Sequence, residues 1–228
     1  MKKNNILMNS IKALLIFLLF DFSWMFQVLA AIGLGLSDKQ LESETWGVIL
    51  SAFSSIILLA ILLFIYRKDI KKEFSTFKKN LSKNLEVGFK YWCFGLLGMA
   101  LSNIIIGLVF SNGQANNEEA VQSMITALPW LMLINAGVIA PIVEELVFRK
   151  SIKGIFKNKW FYIGTSGLLF GLAHVVGSIE VWTDWLFIIP YGSLGCAFAA
   201  AYHDTDTVFT PIAIHMIHNI VLVLFSIF

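Results

Sequence analysis

Pro141-Ile142-Val143-Glu144-Glu145-Leu146-Val147-Phe148-Arg149 closes a run that is almost entirely apolar from Leu128 onward. An ionisable side chain in such a run costs roughly 2.5–3.5 kcal/mol to place in hydrocarbon. Two adjacent carboxylates are worse, because like charges at contact distance resist ionising together. In a helix Glu145 and Arg149 share a face at i,i+4 spacing, so one carboxylate is neutralised locally. Glu144 projects about 100° further round and has no partner in its own helix. Another part of the chain has to receive it.

The rest of the composition places this stretch in a membrane. Of 228 residues, 57% are hydrophobic and 14% charged, and mean hydropathy is +0.76, whereas a soluble domain carries about 25% charged residues. Seven apolar spans are read at 11–36, 46–66, 88–110, 128–149, 161–179, 183–201 and 211–228, most of them near the roughly 20 residues that cross a bilayer. The fold class expected is all-α: a polytopic membrane helix bundle of about seven transmembrane helices. It forms a single membrane domain over 1–228, with a variable helical half (1–124) and a core (125–228). No internal repeat or soluble domain is visible.

The connecting segments sort by sign. Lys2, Lys3 and Lys12, then eight basic residues between Arg67 and Lys90, then Arg149, Lys150, Lys153, Lys157 and Lys159 alternate with loops holding Asp38, Glu42 and Glu44, then Glu118 and Glu119, then Glu180 and Asp184. Only Lys39 breaks the alternation. The positive-inside rule then puts the N-terminus in the cytoplasm. The acidic loop His203-Asp204-Thr205-Asp206 is an exception on the basic side. Topology accounts for the lysines, so no nucleic-acid partner is expected; the bilayer itself is the partner implied.

Local signals refine this picture. Lys2, Lys3 and Val28-Leu29-Ala30 imitate a signal peptide, but Asp21 and Gln27 interrupt the span and it continues to Leu36, so no cleavage is expected. Asp21 is read as hydrogen-bonded to a neighbouring helix or protonated. Ile70, Phe74, Phe77 and Leu81 recur at helical spacing among lysines, which suggests an amphipathic cytoplasmic helix near 69–82 on the inner leaflet. The segment 111–127 reads as a polar external loop without chemistry. Pro129 and Pro211 open spans, whereas Pro141 and Pro190 are read as interior and bending. Cys93 and Cys196 lack any ligand spacing and are expected to be small core residues.

Three more polar residues stand inside apolar spans. His174 ends Phe170-Gly171-Leu172-Ala173-His174, and His215 and Asn219 share a face of His215-Met216-Ile217-His218-Asn219. Gly167, Gly171, His174 and Ser178 line up on one face, where small residues admit a close neighbour or water. A lone intramembrane histidine is ordinarily a packing residue. Two glutamates, an arginine, two such histidines and an asparagine on three spans would instead turn inward and satisfy one another. The chemistry open to them is water activation by a carboxylate and an imidazole, with a second imidazole and a carboxamide as donors to an oxyanion.

Glu144-Glu145-x-x-x-Arg149, Phe170-x-x-x-His174 and His215-x-x-x-Asn219, in this order and each on its own span, resemble the CAAX-protease and bacteriocin-processing family. These are intramembrane glutamate endopeptidases, also called the Abi family. The resemblance covers roughly 125–228, and the N-terminal half matches only in being helical membrane. It implies that Glu144 is the general base acting on water together with His174. His215 and Asn219 would stabilise the oxyanion, Glu145 and Arg149 would form a supporting ion pair, and Phe170 would pack behind His174. His218 lies outside the pattern and is read as a bystander or supporting group. The resemblance further implies peptide-bond hydrolysis without metal or other cofactor, in the bacterial cytoplasmic membrane, on a membrane-associated peptide or protein. Bacterial members are linked to bacteriocin self-immunity and to the maturation of peptides or membrane proteins.

Other readings stay open. His174, His215, His218 and a glutamate are a conceivable zinc set for a membrane hydrolase, although no HExxH helix is present. Gly192-Ser193-Leu194-Gly195 does not place its serine as a rhomboid-type nucleophile. A non-catalytic immunity or scaffold protein that binds a peptide toxin or sensor would keep the same polar cluster for structure. Oligomeric state leaves no signature. For Glu144 to meet His174, the fourth helix is expected to continue to about Ile152 with Arg149 inside the protein, and the site is expected to open toward the cytoplasm.

Overall fold

Backbone groups in hydrocarbon find no water, so long apolar runs close their hydrogen bonds within helices. The computed structural model describes residues 3–110 and 115–228, and all regular structure among them is helical. Lys2 and the loop positions 111–114 lie outside the described residues. In chain order the helices begin with α1 (Lys3–Asp21), α2 (Trp24–Leu34), the short α3 (Asp38–Leu41) and α4 (Glu44–Lys79). There follow α5 (Leu81–Phe110), α6 (Asn116–Ala127), α7 (Pro129–Ile134) and α8 (Ala140–Glu145). The last are α9 (Lys159–Val175), α10 (Ile188–Thr205) and α11 (Phe209–Ile227). Six helices are long and apolar enough to cross a membrane, and a seventh if α1 and α2, bent by 41° at their junction, form one span.

Several readings change at the level of the element. At the bend after Asp21 the Ser23 carbonyl accepts from both the Phe26 N–H and the Ser54 hydroxyl, and Asp21 is exposed there with no hydrogen bond or ion pair among the described residues. The amphipathic stretch near 69–82 is helical, but it is the unbroken continuation of α4 as far as Lys79. Its apolar stripe is partly engaged by protein: Phe74 and Phe77 touch Phe209, in the first turn of α11, while Phe74 and Leu81 stay exposed. The segment 111–127 is largely the helix α6, whose Ile125, with Met124 and Leu128, packs against Met132 and Val223. Pro190 lies in the first turn of α10 because Trp182–Phe187 is a separate 3-10 turn, so it bends nothing. Cys93 is exposed and Cys196 half-buried; both are free thiols.

The bundle is built around α10, which packs between α9 and α5. Gly167 and Gly171 of α9 permit the closest approach: a Cβ on Gly171 would stand 2.7 Å from the Ile188 carbonyl oxygen, and one on Gly167 2.3 Å from Cys196 Sγ. One end of the bundle is tied by charge. Lys153 and Lys159 pair with Asp206 and Asp204, so the acidic end of α10 is neutralised by the basic segment facing it. Glu73, near the end of α4, binds Lys150, accepts from the Tyr202 hydroxyl, and takes the Val208 N–H at the start of α11. The basic segments 67–79 and 149–160 therefore meet at one end of the molecule.

Candidate active site

The fourth span, Pro129–Lys150, is not a plain α-helix. Two five-residue π-helical segments, Asn135–Ile139 and Leu146–Lys150, flank α8, and such widened turns recur at functional sites. In the first of them the Ala140 N–H bonds to the Asn135 carbonyl, five residues back. The next donor in that register would be residue 141, a proline with no N–H. The Ala136 carbonyl left over is taken by Asn219 Nδ2 of α11, at 2.9 Å. Pro141 thus creates the acceptor that fixes Asn219. A Cβ on Gly137 would stand 2.9 Å from Ile220, so the glycine permits α11 to come this close.

Glu145 is sealed from solvent. Its Oε1 accepts from His215 Nδ1 at 2.9 Å, and its Oε2 lies 3.2 Å from Arg149 Nε. Arg149 is equally buried; its guanidinium lies over the Phe170 ring at 4.2 Å and 5.4 Å from that of Phe198. His215 stacks on Phe198, centroids 4.6 Å apart, and turns its Nε2 toward Glu144 Oε2 at 3.6 Å. The Glu145 carboxylate only accepts, so His215 Nδ1 carries a proton. Arg149 offsets Glu145, the pairing on which a buried charge is tolerated. Glu144 is 16% exposed, and its Oε2 has no hydrogen-bond partner.

His174 is held between two rings, Phe170 at 4.3 Å and Tyr191 at 4.7 Å. Its Nδ1 lies 2.8 Å from the Phe170 carbonyl oxygen. A carbonyl only accepts, so Nδ1 carries the proton and Nε2 is left with a lone pair in the neutral ring. Glu144, His215 and Arg149 all stand close enough to His174 to interact with it electrostatically. The meeting of these groups comes from the start of α9 rather than from a longer fourth helix. The helical path ends at Lys150 and residues 151–155 turn back, while Tyr162 donates to the Arg149 carbonyl and Ser166 to that of Phe148. Ser166 is therefore level with Phe148, which brings 170–174 level with the two glutamates.

A cavity of about 290 Å³ adjoins this cluster, with His174, His215, His218 and Asn219 as polar wall and mostly apolar side chains elsewhere. Phe170 also lines it; Glu144 does not. Asn117, Glu118, Val121 and Gln122 of α6 and Phe225 and Ser226 of α11 form its far side. The cavity therefore reaches the end opposite the lysine-rich segments, contrary to the opening expected on the basic side. Among the described residues no three His, Cys, Asp or Glu side chains are grouped as metal ligands.

Sequence reasoning missed Tyr191, which stacks on His174 and donates to Asn117 Oδ1 of α6 at 2.8 Å. It also missed Trp92, which reaches His218 from α5. No motif marks either residue. Helix α6 did leave a signal, since Val121, Met124, Ile125 and Leu128 recur at helical spacing.

The model of the family "Type II CAAX prenyl endopeptidase Rce1-like" matches residues 125–221. Among curated proteins, the chain is 28% identical over 174 residues to YdiL of Bacillus subtilis (strain 168), which carries a provisional membrane-peptidase name; the match covers 74% of this chain and 68% of that one. It is 32% identical over 148 residues to the membrane-embedded CAAX protease MroQ of Staphylococcus aureus (strain USA300), covering 58% and 56%. It is 30% identical over 163 residues to the UPF0177 protein YajF of Lactococcus lactis subsp. lactis (strain IL1403), covering 67% and 71%. No solved structure matches the chain.

Proposed function

Because this chain belongs to the Rce1-like family of CAAX-type membrane endopeptidases, we propose that it hydrolyses a peptide bond of a membrane-associated peptide or protein within the cavity beside His174 and His215. The observation that carries this reading is the grouping of Glu144, whose Oε2 has no hydrogen-bond partner, with His215 and His174, whose Nε2 is turned from the Phe170 carbonyl, beside a largely apolar cavity that both histidines line. A water there donates one proton toward each acceptor, which turns its lone pair to the scissile carbonyl. As the water attacks, its proton passes to Glu144, which later delivers it to the leaving amine. His215, held in orientation by Glu145, offers its Nε2–H to the developing oxyanion, and Asn219 has a second amide N–H for the same purpose. Arg149 balances Glu145, so that Glu145 orients His215 without itself exchanging protons. The cycle calls on no metal, and product formation is expected to survive exhaustive chelation.

In the same proposal the lysine-rich end faces the cytoplasm of a bacterial cell and the N-terminus lies there with it. The test is a comparison of membrane peptides from cells carrying wild-type protein and Glu144→Gln at equal levels. Loss of a general base is expected to lower product formation about 10²–10⁴-fold. An identical peptide profile would overturn the assignment and leave a binding role for the cluster.

A further inference from the structure

His218 lies one turn from His215 on α11 and lines the same cavity, but it belongs to none of the three motifs. Its Nδ1 is 3.4 Å from Trp92 Nε1 of α5, and the two rings meet edge to face with centroids 6.2 Å apart. An indole N–H only donates, so Nδ1 must present a lone pair. The imidazole is then neutral with its proton on Nε2. Among the described residues that Nε2–H has no acceptor, and it is not one of their sealed polar atoms.

The other groups of the polar wall are differently placed. His215 has a carboxylate at each nitrogen, Asn219 Nδ2 is engaged by the Ala136 carbonyl, and His174 turns an acceptor, not a donor, away from Phe170. His218 is thus the histidine of this wall whose N–H has no acceptor among the described residues. In a largely apolar cavity such a donor is unfavourable until something accepts from it. A peptide backbone brings a carbonyl oxygen for every residue it places there.

We propose that His218 is a substrate-contacting residue, donating its Nε2–H to a backbone carbonyl of the peptide bound in the cavity. Trp92 is its positioning residue and fixes the tautomer and ring plane. The proposal rests on the cavity being a peptide site, and its test separates the two ideas. Protein labelled with ¹⁵N-histidine, in lipid nanodiscs, reports the tautomer: His218 is expected to be Nε2–H in the wild type and mixed in Trp92→Phe. In cells, the peptides that depend on Glu144 are then followed in His218→Phe, His218→Gln, Trp92→Phe and the double variant.

His218→Phe is expected to lower their formation on the order of 10-fold or more, the effect of one lost donor to substrate. His218→Gln, which restores an N–H, should recover part of this. Trp92→Phe should cost a few-fold alone and nothing further on top of His218→Phe, the non-additivity of residues acting as a unit. Trp92→Phe and the tautomer measurement decide the matter even if His218→Phe does not insert. Wild-type formation in His218→Phe, or an Nδ1–H tautomer, would overturn the proposal while the peptidase reading stands. No Glu144-dependent peptide at all would overturn both.

Discussion

Glu145 has a partner at each oxygen and no exposure, while Glu144 beside it has one distant partner and a foot in solvent-accessible space. The two carboxylates should therefore fail differently. Glu145→Gln leaves Arg149 as an uncompensated buried charge, and breaking such a pair costs about 3–5 kcal/mol. Glu144→Gln removes a loosely held, partly exposed group and is expected to change stability by less than about 1 kcal/mol. Thermal unfolding of the two variants in detergent checks this. A Glu144→Gln protein as unstable as Glu145→Gln would mean that both are structural. At this scale the Glu145–Arg149 pair was legible, because helical spacing alone brings them together. That His215 would sit between the two glutamates was not, since nothing in a chain of residues states which helices become neighbours.

At the scale of the element, the fourth span shows how one proline sets a side chain 78 positions away, from Pro141 to Asn219. Under the π register the Ala136 carbonyl has lost its donor to Pro141, and Asn219 replaces it. Asn219→Ala should cost about 1–3 kcal/mol, the penalty of a buried acceptor left unmet. In a Pro141→Ala background the backbone regains an N–H, and the same substitution should cost about 1 kcal/mol less, a coupling that a double-mutant cycle measures directly. Strict additivity would show that the carbonyl is satisfied by other means. That Pro141 removes a donor from its helix was readable from the residue type alone. The asparagine that answers it was readable only as a polar residue on an apolar face, because hydrogen-bond partners on separate helices leave no mark on local spacing. The extension of α4 teaches the same lesson. Phe74 and Phe77 have the pattern of a membrane-surface helix, and both also touch Phe209 of α11, a junction that Glu73 locks.

For the whole molecule, charge and cavity point to opposite ends. The lysines gather where α4, the fourth span and the start of α11 meet, and the cavity reaches the end formed by α6 and the last turn of α11. With the basic end inside, a cysteine placed at Glu119 should react with a membrane-impermeant maleimide added to intact cells. One placed at Lys157 should react only after lysis, with Cys93 and Cys196 replaced. The reverse pattern would put the cavity on the cytoplasmic side. The sequence by itself determined that the chain is a helical membrane bundle with polar groups on three of its spans. That much follows from the cost of burying polar groups in hydrocarbon, which every long apolar run must meet locally. Only the tertiary structure decided that α9 begins far below the end of the fourth span, so that His174 comes level with Glu144, and that the cavity lies away from the lysines. Depth and facing depend on how helices slide and pack through contacts such as Gly171 on α10 and Gly137 on α11, and those contacts join residues far apart in the chain.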